Sequence, residues 1–350
     1  TGTSKAVLRT QSMMREYGLM LAIENDNCHK PEVALTHCPF FHTACLSILV
    51  KMLALCGTFV LVDQVEPSFI FEQIEKYQVT MMLMVPPILY MRLYDSGLWK
   101  QYDCQSLREA QFTGGKCSID YVNKIFAMFP NAKLRPSYGS TEICAACSTV
   151  LSKQQYIDNP ELCKTVGRIN ANCAIRLVDE QGNDVEVGTV GEALVKSPTV
   201  FRGYIKNDEL NQKVFTDGWF RTEDLMMRDK DGYYYLMDRK KDMIKTGGEN
   251  VYAQEVEDVL RNHPSIFDCA LIGVDDDRFG EAVAAASVLN PGATLSDEDL
   301  IAYCRAKLPS YKKPRYVAFV EELPHNVTGK IQKSVLRENP KQFRPIAGLN

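Results

Sequence analysis

Residues 44–62, ACLSILVKMLALCGTFVLV, decide how the first half of this chain folds. The stretch is apolar enough to suggest a membrane span, but Lys51 lies near its middle, where a lysine costs roughly 2.5 to 3.5 kcal/mol of insertion free energy. Gly57 interrupts the run where a helix would end. We therefore predict a buried helix that ends at Cys56, followed by a strand over Thr58 to Val62.

The alternation of helix and strand continues after this stretch. A helix capped by Ser68 would carry apolar side chains on one face, namely those of Ile70, Ile74 and Tyr77. Residues 79–85 form a mostly apolar strand that Pro86 and Pro87 end. This alternation is typical of an α/β sheet that helices cover on both faces.

The pattern changes after Cys173 to short strands joined by polar turns. Predicted strands over 174–178 and 191–196 indicate a small antiparallel β subdomain. The α/β pattern restarts after the charged run 238–242. We predict there a helix that includes Val256, Val259 and Leu260, a strand over 269–274, a helix over 297–308 and a strand over 316–320. The tail after Asn339 is expected to be poorly ordered.

These changes define the predicted domains and the fold class, which is α/β with mixed, helix-covered sheets. Residues 1–237 form a large domain, with an α/β part over 1–165 and a small β-barrel-like subdomain over 166–237. Residues 238–242 form a hinge, and residues 243–350 form a smaller, mobile α+β lid domain. A length of 350 residues agrees with two or three folded units.

Composition narrows the class of protein. The 45% of hydrophobic residues excludes a disordered chain, and a net charge of -4 argues against a general nucleic-acid binder that depends on phosphate neutralisation. Twelve irregularly spaced cysteines without a secretory leader indicate reduced thiols, so we expect a cytoplasmic protein. The chain starts without an initiator methionine, which suggests a fragment of a longer protein.

Five polar segments carry the candidate chemistry. The first, TGTSK at Thr1 to Lys5, combines hydroxyls, a glycine and an ammonium, which suit a phosphate-binding loop, although such runs are usually solvated loops. The others are YGSTE at 138–142, GWFRTED at 218–224, DRKKDMIKTGGEN at 238–250 and PHNVTGK at 324–330. Their order along the chain is as informative as their content.

Together the five segments resemble the adenylate-forming superfamily, which includes acyl-CoA synthetases, luciferases and adenylation domains of peptide synthetases. The resemblance extends from Thr1 to about Glu338, and it is greatest to fatty-acyl and crotonobetaine-type acyl-CoA ligases. It implies an AMP-forming acid–thiol ligase whose partners are a small-molecule carboxylic acid, ATP and CoA, with Mg²⁺ as cofactor. Members of the superfamily carry a further segment before the phosphate loop, so the chain is interpreted as N-terminally truncated.

The resemblance implies roles for the YGSTE turn, which includes Gly139 and Ser140. The Tyr138 ring would lie against adenine, the Thr141 hydroxyl would contact the α-phosphate, and Glu142 would help to hold Mg²⁺. Each role suits its residue, because an aromatic face stacks, a hydroxyl donates, and a carboxylate is a hard ligand for a hard cation.

Further nucleotide contacts are implied elsewhere. Asp224 and Arg239 would bind the ribose, with a structural ion pair as the alternative. Glu223 stands where the family usually has glycine. The remaining residues assigned to ATP or the acyl-adenylate are Thr1, Gly2, Thr3, Lys5, Gly114 and Gly115.

The resemblance assigns the second group of roles to the lid domain. Lys330 would bridge the acyl carboxylate and the α-phosphate during adenylation, where an ammonium lowers the repulsion between two anions. Rotation about Lys241 would then bring in the loop that lines the thiol tunnel, with Lys245, Gly247 and Gly248 at the CoA arm.

Three residues keep alternative interpretations. His42, in the segment 39–42, is expected to gate or orient at the meeting of acyl pocket and thiol tunnel rather than to act as a base. Cys144 and Cys147 have the spacing of a redox or zinc pair, but buried core thiols are the default interpretation.

Two other functions remain open at this point. One is a stand-alone adenylation enzyme, and the other is a catalytically silent acyl-nucleotide binding fragment. The sequence is also compatible with a homo-oligomer. It does not identify the carboxylic acid that would be the substrate.

Overall fold

The computed structural model describes residues 5–24, 31–85, 88–113, 117–325 and 331–346. These residues form two compact units. The large unit contains residues 5–222 and 226–236, and the small unit contains residues 223–225 together with the chain from Met237 onward. The hinge predicted over 238–242 remains a prediction.

The large unit is built on a seven-stranded mixed sheet with the order β2-β1-β3-β4-β5-β6-β7. Its strands are β1 Val33–Thr36, β2 Thr58–Leu61, β3 Met81–Met84, β4 Glu109–Thr113, β5 Lys133–Ser140, β6 Cys144–Ser148 and β7 Arg168–Ile169. Strands β1 to β5 are parallel, whereas β6 and β7 are antiparallel to their neighbours. The predicted α/β class with a mixed sheet is confirmed.

Helices cover both faces of this sheet, as predicted. The helices of the large unit are α1 Gln11–Ile23, α2 Thr43–Leu55, α3 Pro67–Tyr77, α4 Ile88–Asp95, α5 Ile119–Met128, α6 Lys153–Asp158 and α7 Asp208–Val214. Because strand side chains alternate between faces, Ala34 packs with α2 whereas its neighbour Leu35 packs with α3, α4 and α5.

The stretch that suggested a membrane span folds as helix α2 and strand β2. The longest helices in the ranges that the structure describes have 13 residues, fewer than the approximately 20 that a bilayer crossing needs. Lys51 is buried on the sheet side of α2, with its Nζ 3.5 Å from Oε1 of Glu109. The Nε of Arg135 lies 3.0 Å from the same oxygen.

This buried cluster perturbs its members in opposite directions. Burial alone would raise the pKa of Glu109, but the charges of Arg135 and Lys51 outweigh it and hold that pKa well below its usual range. Burial lowers the pKa of Lys51, and the attraction of Glu109 opposes this effect. The attraction between Lys51 and Glu109 therefore offsets part of the cost of burying the Lys51 charge inside the large unit.

One predicted cap is wrong. Helix α3 begins at Pro67, so Ser68 is already inside its first turn, and Glu66 is the N-cap residue without a capping bond from its side chain. Proline favours the first helical position because its fixed φ suits the helix and its missing N–H would be unpaired there anyway. Ile70 is buried as predicted, whereas Tyr77 is 42% exposed.

A second sheet follows, with β9 between β8 and β11. Its strands are β8 Ala174–Val178, β9 Val190–Lys196, β10 Phe215–Thr216, β11 Trp219–Arg228 and β12 Tyr234–Arg239. The pair β8/β9 is antiparallel, as the polar turn between its strands predicted, and the pair β10/β11 is antiparallel as well. Its apolar side chains pack against Tyr138 in strand β5 of the first sheet and against Ile143, which lies between β5 and β6.

The small unit has a six-stranded sheet. Five of its strands have the order β14-β13-β16-β17-β18, and the sixth strand, β15, pairs with β16. Its elements are β13 Ile244–Thr246, β14 Glu249–Val251, α8 Ala253–Arg261, β15 Ile266–Asp276, β16 Gly280–Leu289, α9 Asp297–Lys307, β17 Tyr316–Phe319, α10 Lys333–Glu338 and β18 Arg344–Pro345. The expected disorder after Asn339 is wrong as far as Ile346. Phe343 and Ile346 are buried, and β18 pairs with β17, because the tail supplies apolar cover for that sheet.

Candidate active site

The YGSTE turn is shaped by a close backbone approach at the end of β5. A Cβ on Gly139 would lie 1.8 Å from the carbonyl oxygen of Cys144, so only glycine fits there. Cys144 itself has φ +61°, a left-handed conformation that costs a non-glycine residue about 1–2 kcal/mol. The tight turn places exposed Thr141 and half-buried Glu142 at its tip.

Glu142 is held at three points. The Tyr204 hydroxyl donates to its Oε1 at 2.8 Å, its N–H donates to Ser140 Oγ at 3.2 Å, and its carbonyl accepts from Phe201 N–H at 2.7 Å. The second carboxylate oxygen accepts no hydrogen bond from the part of the chain described here. A half-buried carboxylate with one oxygen available fits Mg²⁺, which binds through one or two carboxylates plus substrate phosphates.

Thr141 meets the beginning of helix α2. The Thr43 hydroxyl donates to the Thr141 hydroxyl at 3.4 Å, which leaves the proton of Thr141 available for another acceptor. His42 is the N-cap residue of α2, and its Nδ1 accepts from Ala44 N–H at 3.1 Å. The positive end of the α2 dipole therefore lies beside Thr141, where it favours an anion. The gating or orienting role predicted for His42 remains a prediction.

Tyr138 and Lys5 occupy contrasting positions. The Tyr138 side chain is 5% exposed and packs in the cluster that includes Ile143 and Phe201, so little of its ring is open to a nucleotide in this conformation. Lys5 is exposed, with Nζ 5.3 Å from the centroid of the Tyr204 ring. The other predicted nucleotide and catalytic residues that lie outside the described residues are Thr1, Gly2, Thr3, Gly114, Gly115 and Lys330.

The predicted ribose ligands lie together in the small unit. The Arg239 Nε is 3.2 Å from Oδ1 of Asp224, which is buried, whereas the Arg239 side chain is 45% exposed. Glu223 has φ +60°, a left-handed conformation that glycine adopts more readily than glutamate does.

The predicted CoA loop is a two-residue hairpin between β13 and β14. Gly247 and Gly248 both have positive φ, +58° and +86°, as a type I′ turn requires. The backbone N–H of Lys245 donates to Glu281 Oε2 at 2.8 Å, and the Lys245 side chain is exposed. Lys241 is also exposed, and its carbonyl accepts from Arg337 at 3.4 Å.

The two cysteines after the turn are buried free thiols. Burial is the main cause that raises the pKa of Cys144 to about 11 and the pKa of Cys147 well above its usual value. No group of three or more metal-ligating side chains occurs among the described residues. These observations support the interpretation as core thiols.

The sequence profile of the AMP-binding enzyme family matches residues 1–205, and that of the AMP-binding enzyme C-terminal domain matches residues 255–330. The chain belongs to the adenylate-forming, AMP-binding enzyme family. The predicted resemblance is thereby confirmed.

Relatives within the AMP-binding family act on different acids. The chain is 32% identical to a feruloyl-CoA synthase of Amycolatopsis sp over 338 residues, 96% of this chain and 67% of that protein. It is 32% identical to the long-chain-fatty-acid–CoA ligase FadD13 of Mycobacterium tuberculosis, over 97% of this chain and 65% of that protein. The chain spans 54% to 67% of the length of the curated relatives it matches.

A solved AMP-binding enzyme has the same fold. The o-succinylbenzoate CoA synthetase MenE from Bacillus subtilis, in complex with the acyl-adenylate intermediate OSB-AMP, superimposes with a TM-score of 0.85 at 28% identity. The superposition covers 99% of this chain and 68% of that one. The same enzyme has also been solved with ATP and a magnesium ion.

Sequence reasoning missed two contacts in this AMP-binding enzyme site. Tyr204 bonds Glu142 from 62 residues away, and Thr43 bonds Thr141 from 98 residues away. Neither spacing is local, so no periodicity could have paired them. The available sequence signal was the glycine in Arg202-Gly203-Tyr204, which indicates an unusual backbone conformation next to Tyr204. In the structure, Gly203 has φ +136°.

Asp238, which precedes the predicted ribose ligand Arg239, gives a pH-dependent prediction. Its oxygens accept from the N–H groups of Arg239 at 2.8 Å and Ala253 at 2.5 Å. Burial, reinforced by Glu257 and opposed by Lys333, raises the pKa of Asp238 from 3.8 to about 6. Because the folded state binds this proton more tightly than the unfolded chain does, the free energy of unfolding should fall by about 2–3 kcal/mol as the pH rises from about 4 to about 6.

Carboxylate ¹³C NMR checks this directly, with Asp238→Asn to assign the resonance. We expect a midpoint near pH 6 for Asp238. Asp179 is the matched control, because hydrogen bonds from Asn183 lower its pKa below 3.8. A midpoint for Asp238 near that of an ordinary aspartate would contradict the expected burial effect.

Proposed function

We propose that this chain is part of an AMP-forming acid–thiol ligase. The first half-reaction joins a carboxylic acid to the α-phosphate of ATP and releases pyrophosphate. The second transfers the acyl group from AMP to the thiol of CoA. The observation that carries the proposal is the convergence of Lys5, Thr141 and Glu142 around Tyr204 and the amino end of α2 in a member of the AMP-binding family.

Each residue has a distinct part in the first half-reaction. The Thr141 hydroxyl donates to an oxygen of the α-phosphate, since its own proton is not used by Thr43. Lys5 and the amino end of α2 stabilise negative charge on the triphosphate and the adenylate. Glu142 would hold Mg²⁺ through its available oxygen, and the bound ion would neutralise phosphate charge.

The second group of residues acts from the small unit. In this proposal the Lys330 ammonium bridges the attacking carboxylate and the α-phosphate. Asp224 and Arg239 bind the ribose. Lys241 is the proposed hinge, and the hairpin at Gly247 and Gly248 lies along the pantetheine arm in the second half-reaction. Two half-reactions that need different groups at one centre favour such a rotation.

We propose a cytoplasmic location for the reaction. The described cysteines are all free thiols, which suits a reducing compartment. The partners are the acid, ATP and CoA.

Acid-dependent AMP release by the whole protein tests the proposal, measured with and without CoA. The panel contains short, medium and long fatty acids, aromatic acids and a trimethylammonium acid. We expect AMP release to require one class of acid and to accelerate when CoA is added, with the acyl-CoA as product. Release that is independent of CoA would favour a stand-alone adenylation enzyme, and no release with any acid would favour a silent binding protein.

A further inference from the structure

One short segment connects the two nucleotide motifs of the large unit. We call residues 199–205 the bridging segment. On one side it pairs with the chain that follows the phosphate loop, through Leu8 N–H to Gly203 O at 2.9 Å and Ile205 N–H to Ala6 O at 2.9 Å. On the other side it bonds the carbonyls of Glu142 and Ile143. The bridging segment therefore fixes the distance between the backbone of residues 6–8 and the end of the YGSTE turn.

Tyr204 is anchored in the bridging segment through both its backbone and its ring. Asn211 binds its backbone twice, accepting from its N–H at 2.8 Å and donating to its carbonyl at 2.9 Å. Its ring packs edge-on against Phe201 with the centroids 4.8 Å apart, and the residue is 7% exposed. A side chain held in this way has little rotational freedom, so its hydroxyl occupies a defined point.

That hydroxyl is directed at Glu142. It donates to Oε1 at 2.8 Å and so fixes the rotation of the carboxylate, leaving Oε2 without a hydrogen bond from any described residue. Lys5, the nearby cation, contacts the face of the Tyr204 ring and forms no ion pair with Glu142 among the residues that the structure describes. The Oε2 atom of Glu142 is therefore available to bind a ligand.

We propose that Tyr204 is a positioning residue that orients Glu142 toward Mg²⁺. The inference rests on the proposed function, because it assigns Glu142 to the metal that accompanies ATP. A charge-assisted hydrogen bond to one oxygen pre-orients the other without competing for it. Removal of the hydroxyl frees the carboxylate to rotate, and metal binding must then restrict it again.

Tyr204→Phe tests the role in the whole protein, because it keeps the ring and removes only the donor. At fixed ATP, without acid, Mg²⁺ is titrated and the rise in Tm is followed, since a ligand that binds the folded state stabilises it. We expect the Mg²⁺ concentration for half of the rise to increase about 10-fold, and the same shift in the Mg²⁺ dependence of acid-dependent pyrophosphate exchange.

A double-mutant cycle with Glu142→Gln shows whether Tyr204 acts through Glu142. We expect Tyr204→Phe to add no further loss of Mg²⁺ affinity in the Glu142→Gln background. Tyr156→Phe is the matched control, since it removes a buried hydroxyl that has no hydrogen-bond partner within the described ranges.

Unchanged Mg²⁺ dependence in Tyr204→Phe would overturn the inference, as would independent, additive losses in the double variant. A lower Tm with unchanged Mg²⁺ dependence would leave Tyr204 a purely structural role and would also overturn it. The thermal titration needs no acid and no turnover, so it decides the role of Tyr204 separately from the acid panel that tests the ligase function.

Discussion

We expect Lys330→Ala in the whole protein to slow acyl-adenylate formation by about 10²–10³-fold, the usual effect of removing one preorganised electrostatic group at a reacting centre. In the proposed first step a carboxylate approaches a phosphate, so two anions must come together. An ammonium between them lowers that repulsion most in the transition state, where the new bond forms. In the thiol step the nucleophile instead attacks the uncharged acyl carbonyl, so no carboxylate has to approach a phosphate.

The two half-reactions are measured separately. Acid-dependent pyrophosphate exchange reports the first step, and thioester formation from preformed acyl-adenylate and CoA reports the second. Lys341→Ala is the matched control, because Lys341 is an exposed lysine of the same unit. Equal losses in both half-reactions would reject the role assigned to Lys330.

The second large effect concerns stability. We expect Glu109→Gln to lower the free energy of unfolding of the large unit by about 3–5 kcal/mol, because it leaves the buried cations Lys51 and Arg135 without their carboxylate. Such a loss is a large fraction of the 5–15 kcal/mol that typical domains have. The side chain keeps nearly the same shape, so packing changes contribute little.

Urea denaturation followed by tryptophan fluorescence measures this effect selectively. The two tryptophans of the chain, Trp99 and Trp219, both belong to the large unit. The control Glu161→Gln removes an exposed carboxylate that pairs with Lys164 at 2.7 Å, and we expect it to cost less than about 1 kcal/mol. A similar midpoint for both variants would contradict the importance of the buried charges.

A second variant separates charge from packing. Lys51→Met added to Glu109→Gln removes one of the two stranded cations, and we expect it to recover part of the lost stability. Contacting residues rarely behave additively, so this recovery is the signature of the ion cluster. A further loss on adding Lys51→Met would instead indicate that the Lys51 side chain matters for its packing.

The sequence alone determined the fold class, most strands and helices, and the family. Periodicity is a local property, so it was sufficient for the strand Ala174–Val178 and for the helix that begins at Ala253. The five ordered motifs were sufficient for the superfamily. Local rules failed at the cap of α3, where Pro67 displaced Ser68, and at the tail, where Phe343 and Ile346 found apolar partners.

Tertiary structure alone decided which distant side chains meet. The sequence marked Lys51 as an obstacle to membrane insertion, but only the parallel order of β3, β4 and β5 brought Glu109 and Arg135 to it. In the same way, the position of the bridging segment places the Tyr204 hydroxyl within hydrogen-bond distance of Glu142. Hydrogen bonds and ion pairs depend on distances of a few ångströms, and chain packing, not spacing along the chain, sets those distances.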